Sequence, residues 1–168
     1  MPGSTPVRVA IALAVATGIV LGYQWWTSPE RRIQGILGDV ASAMNHDGPE
    51  TDLRALAAVA GLQQHLSPDV SIDVGAPSRP VRGRQDVIST AARLRASTPA
   101  MHVQFFDADI SVSGKDAATT RVTAQVTTRD QSGEDLAAAH VVLMTLVRVD
   151  GRWLVTSARL LPEGDLSR

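Results

Sequence analysis

The chain has 168 residues, a formal net charge of −1 and no cysteine. This length is enough for one domain but not for two. The absence of cysteine excludes disulfides, thiolate metal sites, a cysteine nucleophile and a lipidated cysteine anchor. Acidic and basic residues are interspersed without a strongly basic face, so a nucleic-acid partner is not expected.

An apolar segment occupies the N-terminal part of the chain. Residues 7–26 read VRVAIALAVATGIVLGYQWW and contain one charged residue, Arg8. Residues 9–26 come close to the roughly 20 residues that a helix needs to cross the hydrocarbon core of a bilayer. Three aromatic residues of the kind that favour the lipid headgroup region lie at its end: Tyr23, Trp25 and Trp26.

These features predict a single transmembrane helix, which attaches the chain to a cell membrane through residues 9–26. Residues 1–27 would form a short cytoplasmic tail and the anchor, and residues 28–168 a soluble domain on the periplasmic or extracellular side. A cleaved signal peptide is the alternative, but bulky aromatic residues stand where small residues should mark the cleavage site. The charges that flank the segment do not decide its orientation.

Three amphipathic helices are predicted in the first part of the domain. The first begins at Ser28-Pro29, a capping hydroxyl followed by a proline. The second begins at Thr51 or Asp52, and the third covers about 84–96. Apolar residues recur at helical spacing on one face of each helix: Ile33, Ile36, Leu37, Val40, Ala41 and Met44; then Leu53, Leu56, Ala57 and Ala60; then Val87, Ile88, Ala91 and Leu94.

The other segments predict β-structure. A short strand alternates apolar and polar residues up to Val74, and a loop is expected over residues 75–83. Four antiparallel strands should follow Pro99. In the first of them the apolar phase changes between Phe105 and Phe106, which is typical of a bulge that bends the strand.

The last two strands are joined at Asp150-Gly151, the strongest hairpin signal in the chain. The elements therefore follow the order helix, helix, strand, helix and antiparallel meander. This order predicts an α+β fold in which three N-terminal helices pack on a curved, mostly antiparallel sheet, preceded by one transmembrane helix. A half-open cone of this kind often leaves a pocket between sheet and helices.

This arrangement resembles the nuclear transport factor 2-like, or SnoaL-like, superfamily with its cone-shaped cystatin-like fold. The resemblance covers about residues 29–161. It rests on residues 53–73 (LRALAAVAGLQQHLSPDVSID), residues 83–94 (GRQDVISTAARL) and the terminal hairpin VRVDGRWLV. The superfamily includes isomerases, cyclases, dehydratases, non-catalytic ligand binders and interaction modules, and the fold alone does not choose among them.

Ketosteroid isomerase-like members of the superfamily place a catalytic aspartate inward on the first strand and use a tyrosine hydroxyl as an oxyanion donor. The resemblance puts Val74 at the inward position, while Asp73 should face the other side because strand side chains alternate. The only tyrosine, Tyr23, belongs to the predicted anchor. Both roles are unfilled, so this mechanism is not expected.

Three other residues are candidates for acid–base chemistry: His102, Asp107 and His140. A histidine and an aspartate that meet in a pocket can transfer protons, but no spacing in the sequence shows that these residues meet. The alternative is that Asp107 flanks the bulge and that His140 is an ordinary sheet residue. The candidate residues of the pocket itself are Val74, Phe105, Phe106 and Trp153.

No cofactor or metal site is predicted. The four histidines, at positions 46, 65, 102 and 140, fall at no metal-ligand spacing. The chain has no Gly-rich phosphate loop and no nucleophile elbow. Arg79, Arg82 and Arg84 form a small basic loop beside the expected pocket mouth, which could bind an anion or simply be solvated.

The sequence therefore predicts a membrane-anchored, non-catalytic domain that binds an envelope protein or a small apolar ligand at the bacterial cell envelope. The alternative is a small-molecule isomerase, cyclase or hydrolase that uses a pocket histidine or aspartate. A homodimeric scaffold without a ligand is the third reading. The long strand over 136–149 is apolar on both faces and helices cover only one of them, so a homodimer through the sheet is expected.

Overall fold

The computed structural model describes residues 28–130 and 132–162 of the chain. In chain order the elements are α1 (Pro29–Met44), α2 (Asp52–Ala60), a 3-10 helix (Gly61–His65), β1 (Leu66–Asp73), β2 (Val81–Arg82), α3 (Arg84–Ser97), β3 (Ala100–Ser113), β4 (Ala117–Arg129), β5 (Asp135–Val149) and β6 (Arg152–Leu160).

The predicted anchor, residues 9–26, lies outside the described residues and stays a prediction. Among the helices of residues 28–130 and 132–162, none is both long enough and apolar enough to cross a membrane.

Six strands form one sheet in the order β2-β1-β6-β5-β4-β3. β1 pairs with β6 in parallel, and every other neighbouring pair is antiparallel. The register between β3 and β4 shifts between Phe106 and Asp109, and Asp107 adopts a left-handed backbone with φ of 52°. The predicted bulge is therefore confirmed, and so is the α+β cone of three helices on a curved sheet.

Side-chain caps begin the first two helices where the sequence predicts them. The Ser28 hydroxyl accepts a hydrogen bond from the Arg31 backbone N–H at 3.3 Å. The Thr51 hydroxyl accepts one from the Arg54 backbone N–H at 3.4 Å. Each hydroxyl satisfies one of the backbone donors that the first turn of a helix leaves unpaired.

The core lies between the helices and the concave face of the sheet. α1 buries Ile33, Ile36 and Leu37, as its apolar stripe predicts. From the sheet, Leu146 and Trp153 are only 1 % and 4 % exposed and belong to the same cluster. The start of α1 thus packs over one end of the curved sheet.

The buried face of α2 differs from the predicted one. α2 buries Ala55 and Val59, whereas Leu53 is 78 % exposed and Leu56 is 41 % exposed. Both faces of this short helix are apolar, so periodicity alone cannot choose between them. The small Ala55 side chain is fully buried, and the side that carries it meets the core.

The third helix needs a similar correction. α3 buries Ile88, Ala92 and Arg95, while Leu94 is 48 % exposed. The sequence predicts a buried face made of apolar residues alone, but the charged residue Arg95 belongs to the buried face. Arg95 can be buried there because each of its three guanidinium nitrogens donates to an acceptor.

The predicted loop over residues 75–83 contains a further strand. Val81 and Arg82 form β2, which pairs with Ile72 and Ser71 of β1 in antiparallel register. A two-residue strand is too short to show any periodicity, which is why the sequence reading takes this segment as loop.

Arg95 joins α3 to the segment that follows α1. Its Nε and Nη2 atoms donate to the two carboxylate oxygens of Glu50, and the Nη2 bond is 2.9 Å long. Its Nη1 atom donates to the backbone oxygens of Ala43 and Asn45. The hydrogen bond from Arg95 holds the pKa of the Glu50 carboxyl below its usual value. A buried guanidinium is stable here because its charge is paired and its donors are used.

The segment between α1 and α2 is also tied to β3. The Asn45 side-chain oxygen accepts a hydrogen bond from the Val103 backbone N–H at 2.6 Å. His46 exchanges two backbone hydrogen bonds with Met101, each 2.9 Å long. The residue is 7 % exposed, and neither of its buried ring nitrogens has a hydrogen-bond partner among the described residues. Burial, together with the nearby Arg95 charge, lowers the pKa of His46 below 6.5.

We expect Arg95→Met to lower the free energy of unfolding by about 3 kcal/mol, because removal of one partner leaves the other charge buried and unpaired. Arg93→Met is the matched control on the exposed side of the same helix and should change stability by less than about 0.5 kcal/mol. Urea unfolding followed by circular dichroism measures both. Equal stability of the two variants would contradict the structural role of Arg95.

His46 should make stability depend on pH. Its folded-state pKa is depressed, so below about pH 6.5 the unfolded chain binds a proton that the folded chain resists. The free energy of unfolding should therefore fall as the pH decreases from 7 through 6.5 and below. A separate loss should begin near pH 4.5, because the depressed pKa of Glu50 stabilises the fold only while the carboxyl is ionised.

His46→Leu should remove the loss that begins near pH 6.5 and leave the loss near pH 4.5 in place. His140→Leu, which replaces an exposed histidine, is the control and should keep both. Urea titrations between pH 4 and pH 8 report these slopes. A His46→Leu profile that matches the original chain would show that His46 is not responsible.

Candidate functional site

A cavity of about 360 Å³ lies between the helices and the concave face of the sheet. α1 lines it with Ile36, Val40 and Met44, which are spaced by one helical turn. α3 lines it with Val87 and Ala91 in the same way. The sheet and the residue that follows β1 contribute mostly apolar side chains: Leu66, Ile72, Val74, Val103, Phe105, Ala124, Val126, Val142, Met144, Val155, Ala158 and Leu160.

Strand register explains how these residues come to share one wall. Phe105 lies opposite Ala124 on β4, and Ala124 lies opposite His140 on β5. Directly paired residues point to the same face of a sheet, and alternate residues along each strand continue it. The bulge bends β3. The small Ala124 side chain leaves room between Phe105 and His140 in the cavity wall.

The four predicted pocket residues occupy different places. Val74 and Phe105 line the cavity. Phe106 is 44 % exposed and lies on a shallow groove beside α1. Trp153 is buried in the core and lines a separate, smaller pocket near the β5–β6 hairpin.

Few polar residues line the cavity. Within the part of the chain that the structure describes, they are His65, Asp73, His140 and Arg159. The Asp73 carboxylate accepts a hydrogen bond from the Gly75 backbone N–H at 2.9 Å, so it supports the turn after β1. Asp73 and Arg159 also lie opposite each other in the register of β1 and β6.

The structure does not bring the three candidate catalytic residues together. His140 lines the cavity and is exposed at its edge. His102 alternates with the cavity residues Val103 and Phe105, and its Nε2 atom contacts the Asp47 carboxylate at 2.9 Å on the solvent side. Asp107 lies in the bulge and borders the groove beside α1. Only His140 therefore lines the cavity.

A different histidine–aspartate pair lies at the cavity wall. The His65 Nε2 atom is 2.8 Å from the Asp39 Oδ2 atom. The His65 side chain is 17 % exposed and borders the cavity, whereas Asp39 is 61 % exposed on α1. Sequence spacing gives no sign of this contact because tertiary packing between α1 and the 3-10 helix creates it.

The arginines of the predicted basic loop have different surroundings. The Arg84 Nε atom donates to the Leu66 backbone oxygen at 2.9 Å, so Arg84 connects the start of α3 to β1. Arg79 and Arg82 are exposed on the loop and on β2. Within residues 28–130 and 132–162, no group of three or more histidine or acidic side chains could hold a metal ion.

Comparison with known protein families assigns the chain to one family. Residues 53–159 match the model of the SnoaL-like domain, and this chain belongs to that family. Proteins of this family are often isomerases or hydratases. Among proteins with curated functions, none matches the sequence.

Solved structures share the fold at low sequence identity. A protein from Novosphingobium aromaticivorans assigned as a scytalone dehydratase is 17 % identical, with a TM-score of 0.64 over 78 % of this chain and 81 % of that one. A cystatin-like protein of unknown function from Nostoc punctiforme is 10 % identical, with a TM-score of 0.60 over 82 % of this chain and 93 % of that one. These similarities establish the cone fold.

Proposed function

We propose that this domain binds a small, mainly apolar molecule in its cone cavity, and that residues 9–26 hold the domain at a cell membrane. The observation that carries the proposal is the cavity of about 360 Å³ with its almost continuous apolar lining. Ligand sites of small molecules have this size and character, with a few polar groups that orient the ligand.

Apolar residues at the helix and sheet edges support access to the cavity. Val74, which lines it, is 51 % exposed. On α3, Leu94 follows the cavity residues Val87 and Ala91 at helical spacing and is 48 % exposed, outside the cavity lining. A poorly soluble molecule that enters an apolar cavity past exposed apolar side chains keeps apolar contacts on its way in.

Ala124→Phe tests this function, because a phenyl ring in place of the methyl group should fill the space between Phe105 and His140. With full-length protein, N-phenyl-1-naphthylamine, a neutral fluorescent probe, should bind at least about tenfold more weakly to this variant than to the original chain. Ala139→Phe is the matched control, since Ala139 is exposed on the opposite face of β5. Membrane or detergent background is the same in all three proteins.

The cavity function would be rejected if the original chain and Ala124→Phe bound the probe equally, provided that both show the same unfolding midpoint. A loss of binding in Ala139→Phe as well would point to a general change of the sheet and not to the cavity.

A second function is favoured by one observation, the His65–Asp39 pair at the cavity wall. An imidazole that a carboxylate orients, beside an apolar cavity, can act as a general base on a bound substrate. We propose proton abstraction from a small apolar substrate as the alternative function, with Asp39 as the positioning residue and His140 as the other histidine within reach of the cavity.

The ring opening of 5-nitrobenzisoxazole reports such a base, because this small apolar probe needs one proton removed. We expect His65→Gln to reduce the rate at least about tenfold if the pair is catalytic. His102→Gln, on the other face of the sheet, is the control and should keep the rate. A rate equal to that of the buffer in the original chain would leave ligand binding as the function.

A further inference from the structure

A second, basic pocket borders the apolar cavity. It encloses about 220 Å³ at the end of the domain where α1 begins, and its lining combines Arg32 of α1, the 3-10 helix and the β5–β6 hairpin: Arg32, Ile36, Gln64, His65, Gly151, Arg152 and Trp153. None of these described lining residues is acidic. Two arginines and one histidine thus line the same small space, in a chain whose formal net charge is −1.

Arg32 is held at this pocket by the hairpin. Its Nη1 atom donates to the Gly151 backbone oxygen at 3.3 Å. A guanidinium has several N–H donors in a fixed plane, so this single bond leaves others that can bind an anion. Arg152 is the next residue of the same hairpin and also lines the pocket.

The basic pocket and the apolar cavity share part of their walls. Ile36 and His65 line both spaces. A carboxylate also lies beside this shared wall, because the Asp39 Oδ2 atom is 2.8 Å from the His65 Nε2 atom. An anion in the basic pocket would therefore lie next to Ile36 and His65, the two residues that also line the apolar cavity.

We infer that the ligand of this domain is an amphipathic anion, whose apolar body fills the cavity and whose phosphate or carboxylate group binds in the basic pocket between Arg32 and Arg152. This inference rests on the proposed binding function. The two arginines orient the ligand, and the charged group stays at the solvent edge because its hydration would be lost deeper in the cavity.

Octyl phosphate, octanoate and 1-octanol separate the two parts of this inference. Each competes with N-phenyl-1-naphthylamine on the full-length chain. We expect octyl phosphate and octanoate to bind at least about tenfold more tightly than 1-octanol, and added salt to weaken the two anions alone.

The arginine variants identify the site of the charged group. Arg32→Gln and Arg152→Gln should each weaken octyl phosphate binding about three- to tenfold and leave 1-octanol and the neutral probe unchanged. Unchanged binding of the neutral probe also shows that each variant is folded. Arg93→Gln, an exposed arginine of α3, is the control and should not change the affinity for any of the three competitors.

Two outcomes would overturn the inference while the apolar cavity function stands. The first is equal affinity for octyl phosphate and 1-octanol with no effect of either arginine. The second is arginine-dependent binding of inorganic phosphate that an octyl chain does not strengthen, which would make the basic pocket a separate anion site. If the neutral probe does not bind the original chain better than Ala124→Phe, the proposed function itself fails.

Discussion

The position of α3 over the sheet depends on one buried cation. Arg95 gathers the Glu50 carboxylate and two backbone oxygens around its guanidinium, and these groups come from the end of α1 and the segment before α2. The C-terminal ends of α1 and α3 and the segment before α2 are thereby tied together. Between those fixed ends, α1 and α3 pass over the sheet without filling the space beneath them, and this separation leaves room for the cavity.

How much of the fold could be predicted varies with the signal each segment carries. Local sequence alone predicts three features. Periodicity and a cap predict α1, the change of apolar phase predicts the bulge in β3, and Asp150-Gly151 predicts the last hairpin. The inner faces of α2 and α3 could not be predicted, because the choice between Leu53 and Ala55 depends on which helix lies beside them. Burial of Arg95 likewise depends on acceptors that only the folded chain brings near.

For the candidate site, too, the sequence predicts which residues share a face but not which elements pack together. Val74 and Phe105 line the cavity as predicted, whereas Phe106 does not. Alternation puts Phe105 and Phe106 on opposite faces of β3, but it does not tell which face is concave. Which histidine borders the cavity together with a carboxylate could not be predicted, because Asp39 and His65 belong to separate elements that meet through packing. The basic pocket likewise combines a helix and a hairpin that are far apart in sequence.

The parallel pairing of β1 with β6 has a consequence for how the domain folds. β3, β4 and β5 lie between these two strands in the chain, yet the two strands are neighbours in the sheet. Contacts between distant residues require a large loss of chain entropy before they return any stabilisation, so they form late and slow the folding rate. β3, β4 and β5 can pair locally while the chain emerges from the ribosome, but the wall that carries Ile72 and Val155 closes only after β6 has been synthesised. Until then, the apolar concave face is open to other chains, and a chaperone has its longest opportunity to bind.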